Sequence, residues 1–350
     1  MRLSGLRRAR PTAVLPLHVQ VEVTWRCNWR CVHCYQDDHA AEPLSTAVLA
    51  SLFDQLRALG AMHVIVTGGE PLVRGDLFEL LEHARATGLA ITLYTNGHAI
   101  DEPAADRLAA LVGAVELSVL AGAPDVHDQL SSVRGSFART VAAIERLRAR
   151  DVAVVVKTPV MRPALATLPA LRARMVELGV EWQPDLDLTE TYAGDAAPLA
   201  YRLDDVERDA FLAAHPELRA RPRDPGVRDD LCLAGRQFAF VDALGGVYPC
   251  LSFRGDRRAA MLGNIRERPF AEIWHGAPLL AEIRAASRAD FTTCTSCGGR
   301  DTCRPCMAYN FREHGSLFDP ARATCDLTAA MRSDRDPGFV PASALARRGI

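Results

Sequence analysis

Cys27, Cys31 and Cys34 follow one another in the spacing C-x3-C-x2-C, directly behind the run His18–Thr24, where Val19, Val21 and Val23 alternate with polar residues. Three thiolates on one tight loop can hold three irons of a [4Fe–4S] cluster and leave the fourth iron open, so this spacing reads as a reactive centre rather than a structural staple. A structural zinc site would need a fourth ligand, for which His33 and His39 are candidates. The next strand-like run ends in Thr67-Gly68-Gly69-Glu70-Pro71. A glycine pair at a strand end lets backbone approach a ligand closely. Seven further cysteines crowd the C-terminal part: Cys232, Cys250, Cys294, Cys297, Cys303, Cys306 and Cys325.

Regular elements must position these residues. Apolar runs at His18–Thr24, Ala61–Thr67, Leu89–Thr95, Ala114–Leu120, Val152–Thr158 and Val180–Leu188 predict strands. Helices with readable ends lie between most of them. Ser45 caps a helix with Leu49, Leu52 and Leu56 on one face, stopped by Gly60; Asp76 with Glu79 opens the next, which ends at Gly88; Gly179 closes the one containing Leu171 and Met175. Strand–helix alternation at this spacing implies parallel βαβ units, and six of them suggest an α/β fold of the partial, open (β/α)6 TIM-like barrel type. A doubly wound sheet fits the periodicity equally well. In a barrel, the cysteine loop and the Gly68–Gly69 segment share the rim at the C-terminal strand ends. The expected organisation is an N-terminal extension (1–17), the barrel (18–190), a Pro-, Asp- and Gly-rich linker (191–228) with a helix at Asp204–Ala214, a cysteine-rich unit (229–331) and a tail (332–350).

The 350 residues are 49% hydrophobic and 24% charged, ample for a sizeable core. A net charge of −2 favours neither nucleic acid nor an anionic membrane as partner. Arginine outnumbers lysine so far that Lys157 is the only lysine. No apolar run approaches the length of a transmembrane helix, and the basic N-terminus is broken by Pro11 and Pro16 before any signal-peptide core. The expected location is the cytoplasm, where clustered C-x2-C spacing means metal or Fe–S ligation rather than disulfides.

Cys27-Asn28-Trp29-Arg30-Cys31-Val32-His33-Cys34 followed by Gly68-Gly69-Glu70-Pro71 resembles the radical S-adenosylmethionine (SAM) superfamily. The resemblance implies that the three cysteines bind [4Fe–4S], that the amino and carboxylate groups of SAM chelate the open iron, and that one-electron cleavage of SAM yields a 5′-deoxyadenosyl radical, which abstracts a substrate hydrogen atom. It implies further that the Gly68, Gly69, Glu70 and Pro71 segment meets the methionyl amino group and that Asn96 touches ribose or methionine. Ser118 and Lys157, at the ends of the fourth and fifth strands, belong to the same cofactor-binding set, with Lys157 facing a carboxylate. His33, in the place of an aromatic residue that contacts adenine, and Tyr35 beside it complete the set.

The later cysteines resemble the SPASM extension of these enzymes, a small Fe–S domain with two auxiliary clusters of the [4Fe–4S] type. By position, one would use Cys232, Cys250 and Cys306, and the other Cys294, Cys297, Cys303 and Cys325. The first set has only three cysteines; Asp229 or Asp230 can complete it, or a corner stays open. Two zinc sites are the alternative.

Relatives of this build act on peptides, sulfatases, haem precursors and small alcohols. Sulfatase maturases place an Asp base directly after the cysteine of Tyr248-Pro249-Cys250, where this chain has Leu251, which cannot accept a proton. Lys157–Met161, Cys232–Arg236, Gly263–Arg266 and Glu272–Trp274 look most like peptide maturases. The resemblance therefore implies C–H activation on a ribosomally made precursor peptide, with a cross-link, thioether, epimer or oxidised residue as product. The alternatives are a small-molecule substrate such as a tetrapyrrole or sugar alcohol, a sulfatase-maturase-like enzyme, and a zinc-stabilised binding protein. Only about 17 residues precede the first strand, so a separate leader-peptide recognition protein is expected, with a flavodoxin or ferredoxin as reductant. The linker and cysteine-rich unit are expected to wall a cleft over the barrel mouth. Asp185, Asp187, Glu190 and Tyr192, at or beyond the sixth strand, are the candidates for catalytic proton handling.

Overall fold

Each of the six predicted strands forms, and each pairs in parallel with the one before it in sequence. These are β1 (His18–Glu22), β2 (His63–Thr67), β3 (Ala90–Thr95), β4 (Ala114–Ser118), β5 (Ala153–Pro159) and β6 (Glu181–Asp185). The computed structural model describes residues 14–41, 43–219, 231–255 and 260–332. The strictly sequential order has no switch point, which selects the open barrel over the doubly wound sheet. Crossovers are made by α1 (Thr46–Ala58), α2 (Leu77–Ala86), α3 (Glu102–Leu111), the pair α4 (Pro124–Ser131) and α5 (Ser136–Arg148), and α6 (Leu168–Glu177).

Register explains why the strands alternate. Val19, Val21, Val64, Val66, Ile91, Leu93, Val115, Leu117, Val154 and Val156 form one face, buried together with Leu49, Leu52, Phe53 and Leu56 of α1 and Leu77, Leu80 and Leu81 of α2. The opposite, concave face carries polar pairs in adjacent strands: Glu22 lies across from Thr67, Tyr94 from Glu116, Ser118 from Lys157 and Lys157 from Gln183, while Gln20 faces Ile65. A barrel lumen lined in this way is built to receive a polar ligand.

The helix ends follow the sequence closely, with one exception. Ser45 accepts the Val48 N–H at 3.4 Å, and Gly60, Gly88 and Gly179 take left-handed φ of 89°, 89° and 63°. Asp76 stands before α2 but makes no cap bond. Its carboxylate binds the Arg74 guanidinium at 2.7 Å and the Thr46 hydroxyl instead, because a charged donor outcompetes a backbone N–H. Arg74 in turn donates to the Val23 and Leu44 carbonyls at 2.7 and 2.8 Å, fastening the rim beside the cysteine loop.

The sheet continues past the barrel into the cysteine-rich half. β7 (Phe238–Val241) pairs in parallel with β1, and β8 (Gly246–Tyr248) and β9 (Gly263–Asn264) extend it antiparallel, giving the order β6-β5-β4-β3-β2-β1-β7-β8-β9. Between the halves lies α7 (Asp205–Ala214), opened by a reciprocal capping box of Asp204 and Glu207. Helices α8 (Phe270–Gly276), α9 (Pro278–Ala285), α10 (Met307–His314) and α11 (Arg322–Met331) follow. Among the described residues, no helix is long and apolar enough to cross a membrane.

Candidate active site and auxiliary cysteine centres

The cysteine loop is held from three sides. Gly69 and Glu70 donate backbone N–H groups to the Thr24 and Arg26 carbonyls at 2.8 and 2.9 Å, so the segment after β2 runs against the stem of the loop. A Cβ on Gly68 would stand 2.2 Å from the Thr24 oxygen, and one on Gly69 2.5 Å from the Trp25 and Arg26 oxygens. The glycine pair thus admits backbone of the protein's own cysteine loop. From a second side, Arg30 and Val32 donate to the Ser131 and Leu130 carbonyls at the end of α4. From the third, Asn96 donates to the Asn28 side chain at 2.7 Å, and the buried Trp29 indole donates to His98 at 3.2 Å.

Glu70 ties these parts together. Fully buried, its carboxylate accepts the Thr95 hydroxyl at 2.7 Å and the Asn96 and Leu72 N–H groups at 2.7 and 3.0 Å. Those bonds join the ends of β2 and β3 and orient Asn96. Burial raises its pKa against the pull of the three donors.

All ten cysteines are free thiols, and they fall into three groups. Cys27, Cys31 and Cys34 sit within each other's electrostatic reach. Burial first, with Glu70 and neighbouring sulfur behind it, pushes the Cys27 thiol up to about 11. Three crowded thiols that ionise only with difficulty suit a cationic iron centre that takes them as thiolates. Cys250 is pushed to about 12 by burial and by Cys306 and Cys232. Cys294, Cys297, Cys303 and Cys325 line one small cavity of about 30 Å³. Thr328 donates to the Cys303 sulfur at 3.4 Å, and Arg288 clasps the intervening loop through the Arg300 and Cys303 carbonyls. The donor sets suit three Fe–S centres. Asp229 and Asp230 lie outside the described residues.

The remaining cofactor candidates line the same rim. His33 keeps a buried, unpartnered Nδ1, and burial lowers its pKa to about 4, leaving a neutral ring at neutral pH. Ser118 and Lys157 are cross-strand partners on the concave face. Tyr35 packs its ring on Tyr192 at 5.0 Å.

Of the four proton-handling candidates, Asp185 and Asp187 are brought together, Glu190 shares Arg312 with Asp187, and Tyr192 stands apart beside Glu22. The Tyr192 hydroxyl donates to Glu22 at 3.2 Å, Glu190 pairs with Arg312 at 3.5 Å, and Asp185 accepts the Asp187 N–H at 2.9 Å. Asp187 accepts the Tyr309 hydroxyl, one turn beyond Cys306, and opens onto a cavity of about 600 Å³ between the ends of β5 and β6, α7 and the cysteine-rich unit. Protein hems it in on its other sides, and that desolvation raises its carboxyl above the usual range.

A buried ionic cluster that no motif announces lies beside the cysteine loop. Arg254 lies 3.4 Å over the Tyr192 ring and 4.4 Å over Trp25, between Glu22 at 3.7 Å and Asp242 at 3.4 Å. Glu22 also accepts the Trp25 indole N–H at 2.7 Å, and burial pushes it up to about 7. The cluster joins β1, the cysteine loop, the linker and the β7–β8 hairpin. Its members are single charges far apart in sequence, with no spacing to connect them.

An open α/β barrel with a three-cysteine loop at its rim and seven further thiols in an appended unit is the build of an iron–sulfur radical enzyme. Comparison with known proteins agrees. Residues 21–164 match the radical SAM superfamily and residues 232–298 an iron-sulfur cluster-binding domain, SPASM. The chain is 27% identical to an AdoMet-dependent heme synthase of Methanosarcina barkeri over 87% of this chain and 95% of the relative. It is 33% identical to mycofactocin maturase MftC of Mycobacterium ulcerans over 85% and 84%. It is 29% identical to a PqqA peptide cyclase of Xanthomonas axonopodis over 91% and 90%. Two structures of Streptococcus suis SuiB, one bound to S-adenosylmethionine and one to precursor peptide SuiA, share the fold with TM-scores of 0.67 and 0.66. They do so at 17% and 18% identity, over 89% of this chain and 75% and 76% of theirs. The chain belongs to the radical SAM superfamily and carries a SPASM extension; it is a SAM-dependent Fe–S enzyme.

Proposed function

We propose that this enzyme modifies a ribosomally made peptide by C–H activation. The supporting observation is the likeness, along nearly the whole chain, to a mycofactocin maturase and a PqqA peptide cyclase, together with a cavity between barrel and cysteine-rich unit large enough for a peptide segment. In this reading Cys27, Cys31 and Cys34 hold a [4Fe–4S] cluster. Cys232, Cys250 and Cys306 hold one auxiliary cluster, and Cys294, Cys297, Cys303 and Cys325 the other. When bound, the first cluster and SAM supply a 5′-deoxyadenosyl radical. The chain's residues position the reactants. Gly68–Pro71, Asn96, Ser118 and Lys157 receive the methionyl and ribose parts of SAM. Neutral His33 takes the place of the aromatic residue that contacts the base. The polar concave face orients the substrate. Of the four proton-handling candidates, Asp187 lies on the cavity wall with Tyr309 as its hydrogen-bond partner, and it takes the proton released when the substrate is oxidised.

A low-potential donor of the flavodoxin or ferredoxin class, a separate leader-recognition protein and a cytoplasmic location belong to the same proposal. A second reading, action on a tetrapyrrole, is favoured by the likeness to a heme synthase. Anaerobic incubation of the reconstituted enzyme with SAM, reductant and a peptide encoded beside it separates the two. Formation of 5′-deoxyadenosine coupled to a change in peptide mass, or to one deuterium gained from heavy water, is the expected result. Nucleoside formed with the peptide unaltered in both respects would overturn the peptide reading.

A further inference from the structure

The 600 Å³ cavity carries more positive charge than its own carboxylates use. Arg202 gives two N–H groups to the Leu188 carbonyl and stands within electrostatic reach of Asp187, so its charge is already answered. Arg304 is exposed on the wall and, among the described residues, has no ion pair. Arg208 pairs outward with the solvent-exposed Asp205 at 2.8 Å, while its Nε is buried and unpartnered. The opposing carboxylates are engaged: Asp326 by Arg322 at 3.3 Å, and Asp187 by the Tyr309 hydroxyl. A buried guanidinium N–H with no acceptor is costly unless a ligand supplies one, and a guanidinium fork fits a carboxylate in two-point geometry.

We propose that this cavity is a carboxylate-binding subsite, in which Arg208 and Arg304 receive an acidic group of the substrate. The inference rests on the reading that the substrate is a peptide, whose acidic group is an aspartate or glutamate side chain or the free C-terminus. The subsite lies beside Asp187 and Cys306, so an acidic residue seated there sets which neighbouring residue of the peptide reaches the barrel mouth.

The test is binding to the reconstituted holoenzyme, read by fluorescence anisotropy. The probes are a fluorescein-labelled glycine–serine octapeptide with one central glutamate, its glutamine counterpart, C-terminally amidated forms of both, and mesoporphyrin IX as a non-peptide dicarboxylate. The expected result is about tenfold tighter binding of an acidic peptide than of the amidated glutamine peptide, as for a charge-assisted pair. That preference should disappear in Arg208→Gln/Arg304→Gln and weaken in Arg304→Gln alone. SAM binding and iron content serve as the control for folding. A preference that follows the glutamate identifies a side chain, and one that follows amidation identifies the terminus; either supports the subsite. Peptides that bind without regard to charge, or a preference that survives both arginine substitutions, overturn the subsite and leave the peptide reading standing. Arginine-dependent binding of mesoporphyrin alone supports the subsite and overturns the peptide reading. No arginine-dependent binding of any probe overturns the subsite.

Discussion

Gly68 and Gly69 show how closely one residue can govern a cofactor loop. Either Cβ would meet a backbone oxygen at 2.5 Å or less, and backbone on both sides of the contact has no soft end to yield. Gly69→Ala should therefore displace the cysteine loop, lowering both iron incorporation at the first centre and 5′-deoxyadenosine formation by at least about tenfold, since small misplacements at a reacting centre are amplified. Iron analysis alongside single-turnover SAM cleavage checks this. Retention of both would show that the loop position is not decisive. The C-x3-C-x2-C loop and its glycine pair were legible in the sequence because their spacing is local. The job of Glu70 was not. Its partners Thr95 and Asn96 lie 25 and 26 residues away, and a lone carboxylate after two glycines looks the same whether it faces a ligand or braces two strands.

At the scale of elements, the strands and most helix ends were readable because burial alternates with period two and glycines mark the helix stops. The continuation of the sheet into β7–β9 was not, since runs of four, three and two residues carry too little pattern. The same seam holds the buried ionic cluster. Arg254→Met leaves Glu22 and Asp242 facing each other without a cation and should cost about 3–5 kcal/mol, with part recovered in Arg254→Met/Glu22→Gln; denaturant midpoints of the three proteins decide it. Glu22 also makes a pH prediction. Its folded pKa of about 7 lies above the ordinary 4.5, so the folded state holds the extra proton. The group's contribution to stability is then complete below about 4.5 and is lost as pH rises through 7. The melting temperature of the natural protein should fall relative to that of Glu22→Gln as pH is raised across this window. A constant difference would mean that Glu22 does not titrate there.

Across the whole molecule, ten thiols gather as three groups, one drawn from residues as far apart as Cys232 and Cys306, because the linker and the β7–β9 extension fold the C-terminal half back onto the barrel. If the groups act independently, Cys250→Ser should lower the iron content of the reconstituted enzyme from about twelve to about eight per chain and leave SAM binding at the first centre intact. A loss of SAM binding as well would mean that the centres assemble as one. The grouping was legible from spacing and family resemblance, whereas the arginine-rich cavity was not, because its walls come from five separate stretches of chain. The parallel pairing of β1 with β7 has a consequence during synthesis. The first strand to leave the ribosome keeps one bare hydrogen-bonding edge until residues 238–241 have emerged, more than two hundred residues later. The opening strand, and the loop that begins the chemistry, are thus among the last parts of the nascent protein to be locked in place.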